Sequence, residues 1–134
     1  MSLRDGLKTA DTKVQSILVV DDNPDDRELF RRILGKGGYF VVECSSGKEA
    51  LAAVEKVRFE LMTLDMSMPG VDGFKVLQVA RSKQPELKIV AVSGLMHGRV
   101  LEPAKALGAD AALDKNQATD LLLPLVRNLL KNPS

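Results

Sequence analysis

Five residues spread along the chain have the chemistry of a reaction site if folding collects them: the paired carboxylates Asp21 and Asp22, the lone carboxylate Asp65, the hydroxyl of Ser93 and the ammonium of Lys115. Clustered carboxylates repel one another, and unless something cationic sits among them at least one has its pKa raised. An oxygen-only set with no His or Cys suits a hard cation such as Mg²⁺, which binds through one or two carboxylates, keeps several waters and typically also meets a phosphate. Lys115 supplies a second positive charge. A carboxylate beside Mg²⁺ and an ammonium is arranged for phosphoryl transfer, a reaction that needs positioning and charge neutralisation more than covalent help. Asp65 is then the nucleophile, and the product is an aspartyl phosphate.

These residues can meet only if the elements between them bring them together. Residues 17–20 (Ile-Leu-Val-Val) form a short apolar run rich in β-branched side chains, the pattern of a strand buried on both faces of a parallel sheet. After Asp21 and Asp22, Asn23 can cap a helix, Pro24 can take its first position, and Asp25 and Asp26 complement the helix dipole in the first turn. Leu29, Phe30, Ile33 and Leu34 then recur at helical spacing, and Gly35, Gly37 and Gly38 end the helix. The alternation continues. Residues 39–44 read as a strand, Ser46 and Glu49 have capping-box spacing ahead of a helix, and residues 61–65 form a strand ending in Asp65. Residues 68–73 are a loop, 74–83 a helix, 87–93 a strand ending in Ser93, and 100–107 a helix stopped by Gly108. A weak fifth strand covers 111–115, ending in Lys115, and a last helix covers 121–130, starting late or bending at Pro124. Five alternations mean an α/β fold, a parallel sheet with helices on both faces joined by right-handed crossovers. In such a sheet the functional crevice lies beyond the carboxyl ends of the strands, which is where all five residues fall.

Length and composition bound the rest. A chain of 134 residues fits one compact domain, and 45% hydrophobic with 28% charged residues is ordinary for a globular protein. Lys and Arg (19) nearly balance Asp and Glu (18), so no basic surface points to nucleic acid, and no apolar run is long enough to span a membrane. The single cysteine, Cys44, excludes an internal disulfide and fits a reducing cytoplasm; as a small buried hydrophobe it needs no further role. Residues 1–14 are expected to be a polar extension, disordered in part, and 15–131 the folded domain.

The ordered set Asp21-Asp22, Asp65, Met68-Pro69-Gly70, Asp72-Gly73, Ser93 and Lys115 resembles the receiver domains of two-component response regulators, over about residues 17 to 130. The resemblance implies a doubly wound, flavodoxin-like, five-stranded parallel sheet of strand order 2-1-3-4-5. It implies that Asp65 accepts a phosphoryl group from a histidine kinase or a histidine phosphotransfer protein. Asp22, Asp65 and the backbone carbonyl of Ser67 would bind Mg²⁺ directly, and Asp21 largely through water. Lys115 would pair with Asp65 before transfer and with phosphoryl oxygens after it, and Ser93 would donate its hydroxyl to the phosphoryl group, drawing the following loop inward. The signal would reach a downstream protein through the face of the fourth helix, fifth strand and fifth helix, with no turnover of a separate substrate.

Two positions depart from the family pattern. An aromatic residue is usual three positions before the lysine, where this chain has Ala112, and a proline usually follows the lysine, where it has Asn116; a trans peptide is expected there. These departures keep open a degenerate receiver that acts as a phosphorylation-independent interaction module. A small α/β enzyme working through an aspartyl phosphate is a third reading, against which stands Ser67, no general acid, two residues after Asp65. Each residue also has a bland role: the leading aspartates as helix caps, Lys115 as a solvated strand end, Ser93 as a turn residue, Gly70 and Gly73 as turn glycines. His97 follows Ser93 closely but is assigned no role.

Overall fold

The computed structural model describes residues 14–68, 73–94 and 97–131, with the backbone alone for 97–101. In chain order the elements are β1 (Ser16–Val20), α1 (Pro24–Lys36), β2 (Phe40–Cys44), α2 (Gly47–Lys56), β3 (Leu61–Asp65) and α3 (Gly73–Lys83). There follow β4 (Lys88–Ser93), α4 (His97–Ala106), β5 (Ala111–Asp114), a 3₁₀ turn (Lys115–Gln117) and α5 (Ala118–Lys131). The strands form one parallel sheet of order β2-β1-β3-β4-β5, the doubly wound arrangement expected.

The apolar runs are continuous because the central strands are covered on both sides. Leu18 and Val20 of β1 and Met62 and Leu64 of β3 face one layer, packing with Val54 of α2 and Val76 and Leu77 of α3. Ile17 and Val19 of β1 and Leu61 of β3 face the other, with Phe30 and Leu34 of α1 and Leu122 and Val126 of α5. With both faces filled, the free edge of the sheet's chemistry is at the strand ends, and Asp21, Asp65 and Ser93 are carried there by the last ladder residues.

Local signals set most boundaries. The side chain of Asn23 accepts from the amides of Asp25 (2.9 Å) and Asp26 (3.1 Å), with Pro24 opening α1. The helix runs through Gly35 and stops at Gly37, and Gly38 turns the chain toward β2 with φ +95°, a conformation that side chains rarely adopt. At α2 the expected reciprocal box is shifted by one residue. Ser46 Oγ accepts from the Glu49 amide (3.1 Å), but the Glu49 carboxylate reaches back to the amide of Ser45 (2.7 Å).

Several boundaries differ from the sequence expectation, three of them with a bearing on the site or its helices. β5 ends at Asp114 rather than Lys115, because the Asp114 side chain accepts from the Asn116 amide (2.9 Å) and folds the next residues into the 3₁₀ turn. α5 begins at Ala118, three residues early, and continues past Pro124 without interruption. Pro124 is exposed, as is Asp120, whose carbonyl loses its helical partner and can be met by water, while Ala118, Leu122 and Val126 bury the opposite face. α4 likewise starts earlier than expected, at His97.

The far end of the sheet is held by two side chains. Arg81 donates to the carbonyls of Pro85 (3.0 Å), Leu87 (2.6 Å) and Gly108 (2.8 Å) and to Asp110 Oδ2 (2.8 Å), which also accepts from the Ile89 amide (2.8 Å). Buried Gln84 accepts from the Phe59 amide (3.1 Å) and donates to the carbonyls of Val54 and Val57 (2.9 and 2.6 Å). Among the described residues no peptide bond is cis, as expected after Lys115, and no helix is long and apolar enough to cross a membrane. Residues 1–13, Pro69, Gly70, Asp72 and the side chain of His97 lie outside the described residues.

Candidate functional site

Three carboxylates converge at the carboxyl end of the sheet. Asp21 and Asp22 follow β1, Asp65 closes the neighbouring β3, and each offers one oxygen within 4.8 Å of the other two. Asp21 and Asp65 are both 3% exposed, whereas Asp22 lies open to solvent. The buried pair is fixed by the turns that follow. Asp21 Oδ1 accepts from the Asn23 amide at 2.9 Å, and Asp65 Oδ1 from the Ser67 amide at 2.8 Å, two local turns of the same kind.

Lys115 crosses to them from the turn after β5. Its stem passes Gly94, where a Cβ would sit 3.5 Å from Lys115 Cδ, and its Nζ lies 2.9 Å from Asp21 Oδ2 and 3.2 Å from Asp65 Oδ2. Burial alone would lower the ammonium's pKa, but hydrogen bonds to Asp26 and Asp21 and the charge of Asp65 outweigh it, so Lys115 stays firmly protonated. For Asp21 burial dominates. It pushes the carboxyl from the ordinary 3.8 up to about 6, helped by the charge of Asp65 and opposed by Lys115 and the Asn23 amide. One ammonium does not fully balance the carboxylates. The oxygen-only donor set and the open side at Asp22 leave room for a hydrated divalent cation, so the residues present fit Mg²⁺.

Ser93 is fully buried at the end of β4, and its Oγ lies 3.0 Å from Ser67 Oγ, joining the loop after β3 to the tip of β4. The structure therefore brings together Asp21, Asp22, Asp65 and Lys115, and sets Ser67 and Ser93 side by side at the rim.

One partner of Lys115 escaped the sequence reading. Asp26 Oδ2 lies 2.8 Å from Nζ, closer than either strand-end carboxylate. Sequence reasoning placed it in the first turn of α1 as a complement to the dipole. The available signal was position: side chains in a helix tilt toward its N-terminus, and the N-terminus of α1 opens on this crevice. Arg27 was missed likewise; its guanidinium donates to the Asp21 carbonyl (2.8 Å) and pairs with Glu43 (3.2 Å), bracing the turn from the outside.

Known proteins resemble this chain in sequence and in fold. A model of the response regulator receiver domain matches residues 17–127. The chain is 30% identical over 95 residues to sporulation initiation phosphotransferase F of Bacillus subtilis, covering 71% of this chain and 77% of that protein. It is 32% identical over 107 residues to sensor protein EvgS of Escherichia coli, covering 80% of this chain but 9% of that protein, so it spans a small part of that relative's length. Among solved structures, response regulator protein TrrA from Thermotoga maritima, in complex with Mg²⁺ and BeF, superposes with a TM-score of 0.79 at 33% identity, covering 87% of this chain and 100% of that one. With the match spanning most of its length and the acidic cluster in place at the ends of β1 and β3, the chain belongs to the response regulator receiver domain family.

Proposed function

We propose that residues 15–131 are a phosphoacceptor switch in which Asp65 takes a phosphoryl group from a histidine kinase or a histidine phosphotransfer protein. The observation that carries this reading is the position of the Asp65 carboxylate. It is buried at the strand end, within 4.8 Å of the Asp21 and Asp22 oxygens on one side and 3.2 Å from the Lys115 ammonium on the other. In the reaction a carboxylate oxygen of Asp65 forms the O–P bond as the P–N bond of a donor phosphohistidine breaks, and the leaving imidazole takes up a proton from solvent. Mg²⁺, when bound, neutralises charge on the phosphoryl oxygens; Asp22, Asp65 and the Ser67 carbonyl would hold it directly and Asp21 through water. Lys115 leaves Asp65 Oδ2 for a phosphoryl oxygen. Ser93 exchanges its contact with Ser67 for another, and this draws in the loop after β4 and alters the face of α4, β5 and α5. The names of the relatives, a sensor protein and a phosphotransferase, support the choice of donor class. No separate substrate is turned over.

Incubation with acetyl phosphate and Mg²⁺ should add one phosphoryl group to the intact chain, and Asp65→Asn should abolish the adduct. The same adduct on the Asn variant would overturn the assignment. Ala112, half-buried in β5 where the family usually has an aromatic ring, favours one alternative: an interaction module indifferent to phosphorylation. Partner affinity unchanged by beryllofluoride would select it.

A further inference from the structure

Lys115 is more fully engaged than a phosphoryl clamp requires. An ammonium has three N–H donors, and three carboxylates surround this one: Asp26 at 2.8 Å, Asp21 at 2.9 Å and Asp65 at 3.2 Å. A phosphoryl oxygen can gain a donor only if one carboxylate yields its own. Asp21 and Asp65 belong to the cluster that suits a cation, so a bound cation can compensate their charge. Asp26 lies outside that cluster, on the first turn of α1, and makes the shortest contact of the three.

We infer that Asp26 tethers Lys115: it holds the ammonium toward α1 and so limits how tightly the site retains a phosphoryl group on Asp65. The inference rests on the phosphoacceptor reading. Asp26 is a positioning residue, acting through the lysine, and it adds a negative charge near the place where the phosphoryl group arrives. Both effects weaken retention of an anion. Removing the charge while keeping the shape should strengthen it, since Asp21 and Asp65 still orient the ammonium.

The test uses beryllofluoride with saturating Mg²⁺ as the phosphoryl mimic, titrated into the full chain and followed by ¹⁹F NMR. Asp26→Asn should bind it about threefold to tenfold more tightly, the size expected of two residues coupled through a shared contact, with only a small remainder from the lost charge itself. Asp26→Glu should stay near the unmodified protein. In a Lys115→Ala background the gain from Asp26→Asn should shrink below about twofold, as expected of residues coupled through a shared contact. In metal-free protein, proton exchange of the Lys115 ammonium should be faster in Asp26→Asn. Equal or weaker beryllofluoride binding, the same gain with and without Lys115, or unchanged ammonium exchange would each overturn the tether and leave Asp26 as a helix-dipole partner. Failure of the unmodified chain to take beryllofluoride at all is a different result, which overturns the phosphoacceptor reading itself.

Discussion

Replacing Asp21 by Asn should make the metal-free protein more stable while blunting its response to Mg²⁺. Burial raises the Asp21 carboxyl from 3.8 to about 6. At about 1.4 kcal/mol per tenfold change in proton affinity, the charged form is disfavoured in the fold by about 3 kcal/mol at pH 7. An amide is neutral, and its oxygen can still accept from the Asn23 amide, but its NH₂ faces the Lys115 ammonium, donor against donor, which offsets about 1–2 kcal/mol. The net gain is about 1–2 kcal/mol, or roughly 3–6 °C in the unfolding midpoint. The sign with pH follows from the raised folded value. Asp21's stabilising contribution is full below about 3.8 and is lost as pH rises through about 6, so the advantage of the Asn variant grows from pH 4.5 to pH 7. Mg²⁺ at ten times its Kd should stabilise the unmodified protein by about 1.4 kcal/mol and the variant by less. Urea unfolding at both pH values, with EDTA or with Mg²⁺, measures all of this. An Asn variant less stable than the parent at pH 7 in EDTA, or a difference that does not change with pH, would refute the reasoning.

Lys115→Ala should destabilise the metal-free protein by about 2–4 kcal/mol, since it leaves buried Asp21 and Asp65 without their cation, and Mg²⁺ should restore part of the loss; paired urea titrations test this. Gln84→Leu removes a side chain that satisfies one buried amide and two carbonyls, and should cost about 2–4 kcal/mol in chemical unfolding without altering Mg²⁺ affinity at the opposite end of the sheet. Cys44 is buried and its thiol is pushed up to about 11, so a thiol reagent at pH 7 should react slowly with native protein and rapidly in urea; fast native labelling would contradict the packing of β2.

The sheet and its crevice were legible because burial on both faces leaves a two-letter signature, apolar run then acidic or polar stop, at four of five strands. Asp21, Asp65 and Ser93 could be placed from that signature alone. Lys115 was placed at the right corner of the fold but on the wrong element, since the Asp114 side chain ends the strand one residue early by capping the turn. Asp26 was hidden for a different reason. Its type is common in a helix's first turn, so its local role was already accounted for, and only the reach of Lys115 from the turn after β5 to the first turn of α1 reveals a second one. Pro124 misled for a similar reason: a lost hydrogen bond is costly inside a packed helix, but it falls here on the wet face, where the seam of Ala118, Leu122 and Val126 decides the outcome.

The Arg81 clasp has a mechanical consequence. One guanidinium draws the end of α3, the entry to β4 and the approach to β5 onto a single point at the amino end of the sheet. The clasp thus fixes how β4 and β5 enter the sheet, at the end opposite to where Ser93 closes β4 and Lys115 follows β5.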